Sequence, residues 1–272
     1  MEHFVDNTVK FLKTTLNIDQ IDVAIIVGSN YEGFAERLEN KSEIMFAEIP
    51  DMKLLGKDKR ENKFIYGSLA GKKVLLSVGR LHFNNGYASQ DIANFVFILK
   101  ELGAKRLVVT TSVGSINKSI HVGSVVAVAD HINLTGRNAL FGCNYDRYGS
   151  LFVDMDNCYD TDMTNVLCNT AKKELHLKIK KGVLVEFAGP TVETLSESKF
   201  SKLIGADFSG FNVVNEVICA NYCDLPVIAI GLVTNYGVLY SAGRLKHEDI
   251  VYNRNLAKSY YLELLERFIR NI

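Results

Sequence analysis

Five short clusters of polar side chains and glycines stand directly after apolar runs, and they hold the residue types best suited to chemistry. Gly28-Ser29 follows VAIIV and precedes a helical pattern, which aims backbone N–H groups and a hydroxyl at an anion. It is no Walker loop, because no Gly-Lys-Ser/Thr follows; the spacing Gly28, Asn30, Gly33 also lacks the middle glycine of a dinucleotide fingerprint. An ordinary strand-to-helix turn reads equally from it. Arg80 and His82, two apart in GRLHFNNGY, share one face of an extended segment and offer a donor fork and an imidazole to phosphate. Their plainer reading is a surface ion pair and a solvated histidine. Thr111-Ser112 adds hydroxyls after LVVT. Glu193, in EFAGPTVETL, either serves a ligand or simply favours the helix N-terminus that follows it. Asn235 ends the apolar run of GLVTNYG, where a buried amide needs partners. A carboxylate and a carboxamide facing each other across a pocket can read a 6-oxopurine, accepting from N1–H and donating to N7 or O6.

These clusters need a scaffold, and the chain alternates β-branched runs with helix-period stretches from end to end. The pattern predicts strands over Val23–Val27, Phe64–Leu69, Val74–Val78, Leu107–Thr111, Val122–Ala129, Val183–Phe187 and Val227–Leu232. Helices are predicted over the N-terminal segment, Tyr31–Leu38, Tyr87–Leu102, Asp160–Leu175, Thr194–Ile204, Val213–Tyr222 and about Glu248–Ile269. In the last, Leu256, Tyr260, Leu264 and Phe268 form the expected buried stripe. The alternation is that of an α/β protein. No linker or repeat interrupts it, so residues 1–272 read as a single domain. In open α/β sheets ligands bind at the carboxyl ends of strands, where all five clusters fall.

Composition narrows the partners. With 31 basic against 31 acidic side chains in 272 residues, no long-range field favours a polyanion, and no basic patch points to nucleic acid. No apolar run reaches the roughly 20 residues needed to span a bilayer, and the N-terminus reads as an amphipathic helix rather than a signal peptide. The five cysteines, Cys143, Cys158, Cys168, Cys219 and Cys223, are odd in number and without histidines at ligand spacing. They read as reduced, mostly buried thiols of a cytoplasmic protein, with no metal site. His131 is expected to serve structure.

Six blocks, VAIIVGSNYEG, GRLHFNNGY, LVVTTSVGSIN with VGSVVAVADHINLTG, VEFAGPTVETLSE, IGADFSGFNVVNEVICA, and LVTNYG followed by KHEDI, resemble in order and spacing the trimeric purine nucleoside phosphorylases. The resemblance runs from about Val23 to the final helix. It implies a single-domain α/β fold, with a twisted mixed central sheet flanked by helices, assembled as a homotrimer. It implies a pentosyltransferase of purine salvage that converts a 6-oxopurine nucleoside such as inosine or guanosine, plus orthophosphate, to free base and pentose 1-phosphate. Orthophosphate is then a co-substrate, with no cofactor or metal. Carried over position by position, Ser29, Arg80, His82 and Ser112 fall in the phosphate site, with Asn212 beside them. Glu193 and Asn235 fall at the base, His247 near the sugar 5′-hydroxyl, and Phe152 where an aromatic reaches a neighbouring subunit's sugar pocket. Phe211 and Asn84 complete the substrate-contacting set, and Asn235, Glu193 and His82 are the residues expected to act in catalysis.

Several positions depart from the family pattern. Asn212 replaces a usual serine, Asn84 a sugar-contacting tyrosine, and Val192 an aromatic beside the base. Val113 lies in a stretch normally richer in Ala and Gly and is expected to narrow the pocket. Lys57 or a neighbour stands where a phosphate-closing histidine is common. The departures leave two other readings open: a divergent member acting on another nucleoside, or a non-catalytic nucleoside-binding trimer that has lost its phosphate site.

Overall fold

The computed structural model describes residues 2–28, 32–55, 62–143, 146–150, 152–241, 243 and 246–272. Ser29 and Lys57 therefore lie outside the described residues, as does the side chain of His247. The chain forms helices α1 (Glu2–Thr15), α2 (Glu32–Ala35), α3 (Ser89–Glu101), α4 (Thr161–Glu174), α5 (Leu195–Leu203), α6 (Val214–Tyr222) and α7 (His247–Asn271). The strands are β1 (Val23–Val27), β2 (Glu39–Met45), β3 (Lys63–Leu69), β4 (Lys72–Val78), β5 (Leu107–Ser115), β6 (Val125–Leu134), β7 (Lys180–Phe187), β8 (Phe208–Gly210) and β9 (Val227–Tyr236). This is the α/β alternation that the sequence pattern predicts, with the mixed sheet that the resemblance implies. Among the described residues no helix is long and apolar enough to cross a membrane.

Contacts group the chain into two compact units. The first comprises Met1–Val109, Asn138–Cys158 and Asn215–Val227. Its strands run in the order β2-β3-β4-β1-β5, with β2, β3 and β4 antiparallel and β4, β1 and β5 parallel. β1 is buried along its whole length, as the unbroken run VAIIV requires of a strand covered on both faces. Phe46, Phe64 and Phe95 pack as a fully enclosed trio, with ring centroids 4.6, 5.6 and 5.7 Å apart. Each such ring contributes about 1.5–3 kcal/mol by burial.

The second unit comprises Thr110–Arg137, Tyr159–Val214 and Ile228–Ile272. Here the order is β5-β8-β7-β6-β9, and β9 also pairs with β5, so the pairings close on themselves. Closure removes the exposed strand edges of an open sheet. Ile116, Val185 and Ala206 form a buried cluster inside this unit.

The seven predicted strands all form, Val23–Val27 with the bounds expected and the other six with altered ends. The expectation Leu107–Thr111 extends to Ser115, Val227–Leu232 extends to Tyr236, and Val122–Ala129 is displaced to Val125–Leu134. Thr111, Ser112, Thr234 and Asn235 consequently sit within strands rather than in loops after them. Polar side chains near a strand end resemble a turn in sequence, whereas backbone pairing continues through them. Two strands were not foreseen. β2 (ENKSEIM) is largely polar because it is an edge with most residues exposed, and β8 has three residues, too few to show a period. Of the helix expected over Tyr31–Leu38, Tyr31 lies outside the described residues, Glu32–Ala35 is helical, and residues 36–38 are not. The buried stripe of α7 holds at Leu264 and Phe268 and shifts by one position in the first half of the helix. Leu256 is exposed, and Ala257, Tyr261, Leu264, Leu265 and Phe268 face the core. A four-residue spacing drifts against the 3.6-residue turn over this length, so the stripe follows a 3-4 alternation.

Candidate active site

Glu193 is placed by two local devices. Immediately after it, Thr194 caps α5: its hydroxyl accepts the Glu197 N–H at 3.2 Å, and the Glu197 carboxylate accepts the Thr194 N–H at 2.7 Å. That reciprocal capping box satisfies the helix start, and these backbone bonds hold the Glu197 carboxyl below its ordinary pKa. Glu193 is therefore not the helix-terminal carboxylate. It is instead 7% exposed, and its Oε1 accepts a hydrogen bond of 3.1 Å from the hydroxyl of Ser209 on β8. Gly237 closes the same side. A Cβ at that position would meet Ile116 Cγ2 at 2.7 Å and Glu193 Oε1 at 3.1 Å, so only glycine lets the backbone pass this close. The Gly237 N–H is in turn fixed to the Ser115 carbonyl at 2.8 Å.

Asn235 lies in the same unit, on β9. The Thr234 hydroxyl donates to its Oδ1 at 2.9 Å and its Nδ2 donates to the Tyr236 carbonyl at 3.0 Å. These bonds assign the amide so that Nδ2, with a second hydrogen, is the donating end. Gly114 lies against it, where a Cβ would be 2.9 Å from Asn235 Nδ2 and 3.3 Å from Ser209 Oγ. Gly114 and Ser209 face each other across the antiparallel β5–β8 ladder. Glu193, bonded to Ser209, and Asn235, set against Gly114, are 42 positions apart in the chain yet stand beside two residues that face each other across one ladder.

β8 leads directly to Phe211 and Asn212, both half-buried. Val213 follows with φ 124°, a region that β-branched side chains rarely enter, and the backbone is held there by what comes next. Glu186, buried on β7 opposite Gly210, accepts the Val214 N–H at 2.8 Å at the start of α6. Ser112, on β5, is half-buried, and its carbonyl accepts the Thr111 hydroxyl at 3.2 Å. Val113 is fully buried against Gly231 and Gly210, whose missing side chains make room for it. It packs as core, contrary to the expectation that it narrows the pocket. His131 bonds Tyr159 Oη at 2.9 Å, and burial pushes its pKa down, as befits a structural histidine.

In the first unit Arg80 is 3% exposed. Its guanidinium lies 3.6 Å from the Glu216 carboxylate, and Nη2 donates to the Ile26 carbonyl at 3.4 Å. Burial raises the Glu216 pKa, and Arg80 opposes that rise. The ion pair is thus internal rather than superficial. His82 is half-buried and begins a 3-10 turn, Phe83–Asn85, with Asn84 exposed on it and closed by Gly86 at φ 92°. Phe152 is 97% exposed, and Val192 is exposed. A separate cavity of about 450 Å³ lies in this unit, lined among others by Phe4, Met52, Leu81, Phe95 and Ile98 beside the 2.8 Å Lys53–Asp91 ion pair. Among the described residues, none of the expected catalytic side chains lines it. Four of the five cysteines are buried and all five are free thiols; burial pushes Cys223 up to about 12. Among the described residues no three His, Cys, Asp or Glu side chains gather to hold a metal ion.

Glu216, Glu186 and Ser209 were not singled out from the sequence. Glu186 had a signal: a carboxylate ending the apolar alternation VLVEF must find a partner. Ser209 and Glu216 had none, since their partners lie 16 and 136 positions away.

Residues 22–270 match the Phosphorylase superfamily. A purine nucleoside phosphorylase of Mus musculus is 32% identical over 249 residues, covering 90% of this chain and 82% of the mouse protein. The chain is a member of the purine nucleoside phosphorylase family. Purine nucleoside phosphorylase 1 of Bacillus subtilis is 29% identical over 99% of this chain and 98% of its own. The crystal structure of the Schistosoma mansoni purine nucleoside phosphorylase in complex with inosine superposes with a TM-score of 0.92 at 28% identity, covering 99% of this chain and 96% of that one. The expected family, nucleoside phosphorylase fold and pentosyltransferase class therefore hold for this chain.

Proposed function

We propose that the protein catalyses reversible phosphorolysis of 6-oxopurine nucleosides, with Glu193 and Asn235 holding the base. The observation that carries this reading is a buried carboxylate bonded to Ser209 and an oriented carboxamide set against Gly114, two residues that face each other across the β5–β8 ladder. Glu193 accepts from the base N1–H, which adenine lacks. The free Nδ2 hydrogen of Asn235 donates to N7, and that bond strengthens as the glycosidic bond breaks and negative charge moves onto the purine. A bond that strengthens toward the transition state accelerates the reaction, whereas uniform binding does not. C1′ gains oxocarbenium character in the same step, so a phosphate anion held beside it both stabilises the charge and attacks. No protein nucleophile and no cofactor is needed. Family membership supports roles toward phosphate for Ser29, Arg80, His82, Ser112 and Asn212, and roles toward the sugar for His247, Asn84 and Phe152, with Phe211 near the base. It also supports a cytoplasmic homotrimer working in purine salvage.

The test is release of hypoxanthine from inosine, with and without orthophosphate, in a coupled absorbance assay. Phosphate-dependent release is expected, and Glu193→Ala or Asn235→Ala is expected to lower kcat/KM about 100-fold or more, within the range for lost polar contacts to a reacting group. Release without phosphate would show a hydrolase. Tight binding of hypoxanthine without turnover would show a binding protein.

A further inference from the structure

The hydrogen bond from Ser209 to Glu193 has a consequence for which 6-oxopurine is preferred. Hypoxanthine and guanine share N1–H and O6, and guanine adds a 2-amino group adjacent to N1. Two parallel N–H groups match a carboxylate best when each oxygen accepts one of them, the fork geometry of bidentate pairs. Such a match needs both oxygens of Glu193. In this protein Oε1 is held at 3.1 Å by the Ser209 hydroxyl, on the side where Gly237 brings its backbone close. The hydroxyl has one proton and two nearby acceptors, Glu193 Oε1 at 3.1 Å and the Gly114 carbonyl at 3.5 Å. The nearer acceptor takes it. Ser209 is itself 6% exposed, so water does not compete for this bond.

We propose that Ser209 is a specificity-determining residue: by anchoring Oε1 of Glu193 toward β8, it leaves Oε2 to read the base N1–H and turns Oε1 out of line with the guanine 2-amino group. This rests on the assignment of Glu193 to base reading. The enzyme then favours inosine over guanosine, and the selectivity resides in a side chain that acts through Glu193. In Ser209→Ala the carboxylate loses its anchor. Its terminal torsion is broad, so it turns to present both oxygens. Guanosine gains one hydrogen bond that inosine does not.

The test compares kcat/KM for guanosine and inosine in the wild type, Ser209→Ala, Ser209→Thr and Glu193→Ala. The expected guanosine-to-inosine ratio is below one in the wild type and rises about tenfold in Ser209→Ala, the factor for one hydrogen bond of modest strength. Ser209→Thr keeps the hydroxyl and returns the ratio toward the wild-type value. An unchanged ratio in Ser209→Ala, together with a large loss in Glu193→Ala, would overturn the role of Ser209 while leaving base reading by Glu193 intact. Wild-type rates in Glu193→Ala would remove base reading itself, and this inference with it. Calorimetry of hypoxanthine and guanine on the wild-type enzyme is independent of any variant's folding, and equal dissociation constants there would also overturn the proposal.

Discussion

Replacing Arg80 by methionine tests the internal ion pair through its dependence on pH. The guanidinium and the Glu216 carboxylate are 3.6 Å apart with side chains 2% and 6% exposed. At an effective dielectric of about 20, that separation gives an attraction of about 4.6 kcal/mol, which offsets the desolvation of both charges. Removing one partner strands the other, at a typical cost of about 3–5 kcal/mol. Burial already raises the Glu216 pKa and Arg80 is what holds it down, so in Arg80→Met the carboxyl rises further. A raised carboxyl binds a proton in the folded state that the unfolded chain has released. Stability then falls as pH rises from the unfolded value near 4.3 toward the folded value, by up to about 1.4 kcal/mol per pH unit. The wild type follows the same sign with a shallower slope, because Arg80 opposes the shift. Urea melts should therefore show a deficit of about 3–5 kcal/mol for Arg80→Met at pH 7.0. At pH 5.5 the deficit should shrink by at least about 1 kcal/mol. Adding Glu216→Gln to Arg80→Met should abolish that pH dependence. A deficit below about 1 kcal/mol at pH 7.0, unchanged at pH 5.5, would mean that Arg80 does not neutralise a buried carboxylate, because no mechanism here hides a stranded charge from titration.

Gly237→Ala places a methyl 2.7 Å from Ile116 Cγ2 and 3.1 Å from Glu193 Oε1, so either the strand end or the carboxylate must move. The expected result is a KM for hypoxanthine, measured in the synthesis direction, raised about tenfold or more, since misplacement of about 1 Å costs up to 100-fold. The phosphate KM should change less, and equal increases in both would contradict it. Thr194→Ala removes the N-cap of α5, which should lower stability by about 1 kcal/mol in thermal or chemical melts. Because Glu193 is the residue next to that cap, the same variant should weaken hypoxanthine binding in calorimetry, and an unchanged affinity would show that the cap does not position the carboxylate.

The elements that dominate the fold were legible because their physics is local. VAIIV is buried on both faces and reads so in five letters, and the 3.6-residue period of α4 needs no tertiary information. The failures have equally physical causes. β2 is an edge strand whose side chains face water, so it lacks the apolar alternation that marks a strand, and the polar ends of β5 and β9 carry turn-like residues through regular pairing.

For the site, Glu193 and Asn235 were found because a carboxylate and an amide at the ends of apolar runs demand an explanation. Their partners were not found, for a reason that follows from how such groups are satisfied. A buried polar atom needs a hydrogen-bond complement, and in a sheet whose strands pair out of chain order that complement comes from a strand remote in sequence. Ser209 lies on a three-residue strand placed between β5 and β7, and nothing in IGADFSGF distinguishes its hydroxyl from that of a surface serine. The same holds for Glu216, whose partner Arg80 lies 136 positions earlier. A sequence therefore exposes the groups that do chemistry more readily than those that hold them, because reactive types are rare in apolar runs and their supports are ordinary residues. Substrate preference, if Ser209 sets it, resides in that second and less legible class, so two chains with the same base-reading pair can differ in the purine they favour.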